Sequence, residues 1–194
     1  MQLTERITGQ FFDSARLQVD SAERLAPAIA AAAELAVDAL LSEHKVLCCG
    51  HGSGALLAQN FASHMLGRLA LERPGLAAMA LSVDPAVLSA LASDSGHSEV
   101  YSRQVLALGQ PGDLLLAVII DADAHSELAA IAAAHERGMR VIALGGDDTL
   151  AELLHTNDIH MGVPHESPAR MQELGMLALN CLCDSIDCIL LGVE

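Results

Sequence analysis

Histidine, serine and glycine crowd one short stretch, Cys49-Gly50-His51-Gly52-Ser53-Gly54-Ala55, between an apolar run and a helical pattern. A glycine loop that opens into a helix suits an anion, because its backbone N–H groups and the helix N-terminus both favour negative charge. A second polar stretch, Asp121-Ala122-Asp123-Ala124-His125, follows the most apolar run of the chain. Carboxylates there would oppose a phosphate by on the order of 1–4 kcal/mol per close pair, at an effective dielectric of 20–80. His51, His64 and His125 with Asp121 and Asp123 are the residue types that hold a divalent cation. Alternating D-A-D-A-H matches no ligand spacing, however, and the segment reads as a solvated polar loop with no metal and no cofactor. His44, His97, His135, His155, His160 and His165 read as surface or hydrogen-bonded residues.

The elements that must position these residues are legible from periodicity. Apolar residues at helical spacing fill "TERITGQFFDSARLQVDSAERL" and "LAPAIAAAAELAVDALLSE", which predicts N-terminal helices. Five strand signals follow: "KVLCCG", "LAAMALS", "GDLLLAVII", "MRVIALGG" and "DIHMGV". Helical patterns separate them, at about 55–68, 85–93, 97–107 and 125–137, and a long helix spans about Pro168 to Leu191, with proline in its first turn. Strands alternating with helices predict an α/β fold with a parallel sheet covered on both faces, and a single domain over 1–194. Ligands of such sheets bind beyond the carboxyl ends of the strands. The 50–54 loop and the 119–126 segment are therefore the candidate cleft.

Composition excludes some functions. Twenty-five acidic residues against ten basic ones give a formal charge of −15, and no basic block is present to displace counterions from nucleic acid. The chain is 52% hydrophobic but only 2% aromatic, so its core must come from Ala, Leu, Val and Ile. Five cysteines without a CxxC pair predict buried, reduced thiols. Charge interrupts the apolar runs and no leader opens the chain, which predicts a soluble, cytoplasmic protein.

The stretches "KVLCCGHGSGALLAQNFASHMLGR", "ERPGLAAMALSVD", "SEVYSRQVLALGQPGDLLLA", "GMRVIALGG" and "ARMQELGMLALNCLCDSID" resemble the sugar isomerase (SIS) family over nearly the whole chain. The branch is the one that holds phosphoheptose isomerases and the DnaA initiator-associating protein. The resemblance implies a five-stranded parallel sheet flanked by helices, with N-terminal helices used to build a homotetramer. It also implies a phosphate loop CGNGGSA or CGNGTSA, whose serine falls at Gly54 with Ser53 one position early, and a Ser/Thr-rich turn where this chain has 119–124. The family's catalytic Glu falls at His64, a preceding His at Asn60, and a second catalytic His at Gly175. Asp94, Gln172 and Glu173 fall at cleft positions, Asp94 reading as a helix cap.

On these departures no catalytic residue is expected, and the cleft comprises His51, Gly52, Ser53, Gly54, Asp94, Asp121, Asp123, His125 and Gln172. The expectation is then a non-enzymatic regulator that binds the replication initiator DnaA as a tetramer through an apolar pair, Leu190 and Leu191. The alternatives are a phosphoheptose isomerase and a sensor of carbohydrate derivatives.

Overall fold

The computed structural model describes residues 2–120, 123–146, 148–164 and 167–193. Its elements are α1 (Leu3–Leu41), β1 (Val46–Cys49), α2 (Ser53–Leu66), β2 (Ala78–Ala80), α3 (Pro85–Ser95), α4 (Ser102–Leu108), β3 (Leu114–Ile119), α5 (His125–Glu136), β4 (Arg140–Gly145), α6 (Asp148–Ala151), β5 (Ile159–Gly162) and α7 (Pro168–Leu191). A short 3-10 turn, His97–Glu99, joins α3 to α4. The five strands form one parallel sheet in the order β2-β1-β3-β4-β5, as the alternation of signals predicts.

Side-chain alternation along the strands divides the core in two. Val46, Cys48, Leu114, Leu116 and Val118 point to the face covered by α1, α2 and α7. Leu47, Cys49, Leu115 and Ala117 point to the other, covered by α4 and α5. The small residues do what composition requires of them. Ala32, Ala33 and Ala36 on α1, Ala58 on α2, and Ala130 and Ala134 on α5 are fully buried, which lets helix backbones approach closely.

The N-terminal region is one 39-residue helix and not two. Pro27 sits inside it, on the exposed side, where the carbonyl that loses its partner faces water. α7 is the one helix among the described residues long and apolar enough to cross a membrane. Its apolar stripe of Met171, Leu174, Ala178, Leu179, Leu182 and Ile186 is instead buried against the sheet and α1. The cysteine expectation needs one amendment. Cys48, Cys49 and Cys183 are buried and Cys188 partly so, but Cys181 is exposed. Burial, with Asp187 adding to it, pushes the Cys183 thiol up to about 12.

Two polar anchors hold the sheet's ends. Asp113, in the "ALGQPGD" stretch, is 1% exposed and accepts hydrogen bonds from the Lys45 and Gln110 backbone N–H groups at 3.0 and 2.9 Å. Burial alone would raise its pKa, but the Lys45 ammonium at 2.5 Å and these N–H groups hold it below the ordinary carboxylate value. At the other anchor, the "ERP" arginine Arg73 pairs with Asp187 of α7 at 2.5 Å, both side chains 2% exposed. Its remaining N–H groups donate to the carbonyls of His64, Met65, Gly67 and Pro74. Arg73 thereby welds the C-terminus of α2 to α7.

Candidate functional site

The strand order reverses between β1 and β3, and the crevice opens at their carboxyl ends. The β1–α2 loop lies there, pressed onto β3. A Cβ added at Gly50 would come within 2.6–2.8 Å of Gly54 and the Val118 carbonyl, and one at Gly54 would lie 2.5 Å from that same oxygen. Gly54 is thus a packing glycine, and a serine cannot stand there without moving the end of β3. Gly52 has φ +53°, the left-handed region that glycine tolerates. Tyr101, buried beneath, donates its hydroxyl to the Gly50 carbonyl at 2.5 Å. The Gly54 and Ala55 N–H groups turn back onto the His51 carbonyl at 2.8 and 3.3 Å.

This bracing fixes His51, and its partner is a residue that sequence reasoning overlooked. His51 Nδ1 lies 2.9 Å from Oε1 of Glu127, in the first turn of α5. Glu127 is fully buried, while 30% of the His51 side chain is exposed. Ser126 Oγ donates to the other carboxylate oxygen at 2.9 Å, and the α5 N-terminus favours the negative charge. A loop on one face of the sheet and a helix on the other thus meet over the switch point. A carboxylate on Nδ1 fixes the imidazole as the Nδ1–H tautomer and makes Nε2 the basic nitrogen. His51 is therefore an oriented imidazole, not part of a solvated loop.

The other expected residues scatter. Asp121 lies outside the described residues. Asp123 and His125 are 81% and 82% exposed at their side chains and sit 3.7 Å apart, on the surface. Asp94 does not cap a helix: it lies near the end of α3, exposed, 3.5 Å from Arg103. The cap of α3 is Asp84, which accepts from the Ala86 and Val87 N–H groups at 2.9 and 3.1 Å. Gln172 is half-buried beside Gln18 of α1, and Glu173 accepts a hydrogen bond from Ser14 at 2.6 Å. His64 is half-buried with Nδ1 3.4 Å from the Arg68 carbonyl.

Gly175 faces inward, and a Cβ there would meet Leu57 at 3.1 Å, Leu144 at 3.4 Å and Ile120 at 3.7 Å. The terminal pair is not displayed as a unit. Leu190 packs partly against the core, and the exposed neighbours are Ile189 and Leu191.

Two buried amides lie on the helices α2 and α7. The Oδ1 atoms of Asn60 on α2 and Asn180 on α7 are buried and have no hydrogen-bond partner among the described residues. Between these helices Gly175 faces Leu57, and Asp187 binds the arginine that also holds the Met65 carbonyl. Asn60 and Asn180 lie between these fixed points on their helices.

Comparison with known proteins agrees with this architecture. The SIS domain model matches residues 10–146. A phosphoheptose isomerase of Aromatoleum aromaticum is 48% identical over 196 aligned positions, covering 100% of this chain and 99% of that one. A phosphoheptose isomerase of Thiobacillus denitrificans is also 48% identical, covering 100% of both. Among solved structures, phosphoheptose isomerase GmhA from Neisseria gonorrhoeae superimposes with a TM-score of 0.90 at 38% identity, over 96% of this chain and 99% of that chain. A phosphoheptose isomerase from Francisella tularensis gives a TM-score of 0.92 at 39% identity, with the same coverage. These full-length relatives overturn the expectation of a non-enzymatic regulator of the replication initiator, since relatives this similar along the whole chain carry an enzyme's name. The likeness runs through the sheet, the glycine loop and both helices that frame the crevice, and on it the chain belongs to the SIS domain family.

Proposed function

We propose that the protein is an aldose–ketose isomerase acting on a sugar phosphate of the phosphoheptose class, with sedoheptulose 7-phosphate as the substrate to test. The observation that carries the reading is the His51–Glu127 pair at the switch point, in a chain whose full-length relatives are named for that activity. Isomerisation removes a proton from the carbon beside the carbonyl and returns one to the neighbouring carbon, while a proton passes between the two oxygens. A single imidazole can take and return protons, provided its orientation and tautomer are fixed. Glu127 supplies both constraints to His51.

Gly175 can move no proton, and His64 stands where the resemblance puts a glutamate; the proposal therefore places the chemistry on His51. The phosphate would lie at the N-terminus of α2, where Gly52 and Ser53 begin the helix. Asp123 opposes it weakly, because its exposed side chain is screened by water, which brings the repulsion to about 1 kcal/mol even at contact distance. A coupled assay of sedoheptulose 7-phosphate turnover tests the reading.

The assembly follows from what α1 leaves uncovered. Leu3, Ile7, Phe11, Phe12 and Val19 are 50–74% exposed on its first half. An apolar groove beside Leu25, Ile29, Leu174 and Leu177 continues this surface between α1 and α7. We propose that other copies of the chain cover it in a closed homotetramer, the arrangement that the family resemblance implies. Sedimentation equilibrium at micromolar concentration should return four times the chain mass, and Phe11→Asp with Phe12→Asp should reduce it. A monomeric wild-type protein would contradict this. A cytoplasmic location accords with the free thiols and the enzymatic reading.

A further inference from the structure

We propose that His135, His155 and Asp158 form a binding site for a divalent transition-metal ion of the zinc class, apart from the crevice. The three residues come from the last turn of α5, the connection after α6, and the residue before β5. Their donor atoms all lie within 4.8 Å of one another. Asp158 hydrogen-bonds Val141, near the start of β4, which places the cluster at the amino ends of the strands. His51 is at the opposite, carboxyl ends.

The carboxylate is held ready by backbone. Oδ1 accepts from the Val141 N–H and Oδ2 from the His155 N–H, each at 2.8 Å. His135 Nε2 reaches Oδ2 at 2.7 Å. The two imidazoles stack with centroids 3.6 Å apart and planes 15° from parallel. Zinc sits about 2.0–2.1 Å from nitrogen or oxygen ligands, so tetrahedral donors stand about 3.3 Å apart. An ion placed among the three therefore opens the His135–Asp158 contact by a fraction of an ångström and draws the rest inward.

Two histidines and a carboxylate are the ligand types that borderline-soft ions prefer, and three ligands leave a fourth position for water. Asp158 and His135 are nearly enclosed, with side chains 2% and 12% exposed, while His155 is exposed and gives an ion entry. The chain's charge of −15 favours a dication over its surface. The bound ion would pin the end of α5 and the 152–158 connection to the sheet edge.

The test is calorimetric titration of the chelator-stripped full-length protein with zinc, alongside cobalt(II) to read its visible ligand-field bands. Saturable binding of one ion per chain at this cluster is expected, with cobalt bands of tetrahedral intensity. Zinc at 100 times its Kd should raise Tm by about 5–10 °C. His155→Ala, an exposed change that leaves the fold intact, should weaken binding by more than about 100-fold, beyond the 10–100-fold that loss of an outer partner causes. His125→Ala, at an exposed histidine elsewhere, should change nothing. Absence of saturable binding, or zinc bound as tightly by His155→Ala as by the wild type, would overturn the proposal.

Discussion

Alanine at position 51 is expected to lower kcat/KM for sedoheptulose 7-phosphate by about 10²–10⁴-fold, the contribution of a positioned proton-transfer group. The variant should also lose some stability, because it takes a partner from the fully buried Glu127 carboxylate, so its melting temperature is measured alongside. The Glu127 variants separate orientation from packing. Glu127→Gln keeps the volume but replaces the carboxylate acceptor with an amide that can present either end to Nδ1. It should reduce kcat with little change in KM, and nitrogen NMR shifts of the His51 ring should show loss of the single Nδ1–H tautomer. Glu127→Ala leaves a cavity under the loop and is expected to lower stability as well. Wild-type activity in both His51→Ala and Glu127→Gln would remove the dyad from the mechanism while leaving the family assignment intact.

Arg73→Ala should be the most damaging single change to the fold, costing about 3–5 kcal/mol, because it strands Asp187 as an unpaired charge in a buried site. It also removes the donor to four backbone carbonyls, two in the last turn of α2 and two between α2 and β2. A domain of this kind has only about 5–15 kcal/mol in hand, so the variant is expected to melt far below the wild type or to express unfolded. Asp187→Asn should cost less, since the guanidinium keeps its carbonyl acceptors. Replacing both residues by apolar ones of similar size should recover much of the loss. Denaturant titrations of the two single variants and the double variant decide it; a loss below about 1 kcal/mol in Arg73→Ala would show that the pair is not a structural weld.

The elements that could be read from sequence were those with strong periodicity and clear punctuation. Proline at N1 and the unbroken apolar stripe define α7 from Pro168 to Leu191, and the β-rich run "LLLAVI" defines β3. The expectation of separate N-terminal helices failed because both stretches continue as one helix, and Pro27 rides inside it facing solvent while the opposite stripe is packed. Glu127 was invisible for a different reason. A lone glutamate in the first turn of an alanine-rich helix reads as a solvated charge until the β1–α2 loop is seen to fold over the sheet and bury it. Asp94 was read as a helix cap, but the capping residue is set by where the backbone enters the helix, and that is Asp84, ten residues earlier. The "ERP" and "NCLCDSID" stretches supported the family assignment, but their physical reason, the Arg73–Asp187 pair, spans 114 positions and appears only in three dimensions.

Turnover of sedoheptulose 7-phosphate by purified wild-type protein and its His51→Ala variant, in one coupled assay against a heat-treated control, tests the central claim most directly. The account predicts steady product formation by the wild type that the variant reduces by at least about 100-fold. Wild-type protein that is folded and tetrameric yet converts no more substrate than the heat-treated control would contradict it.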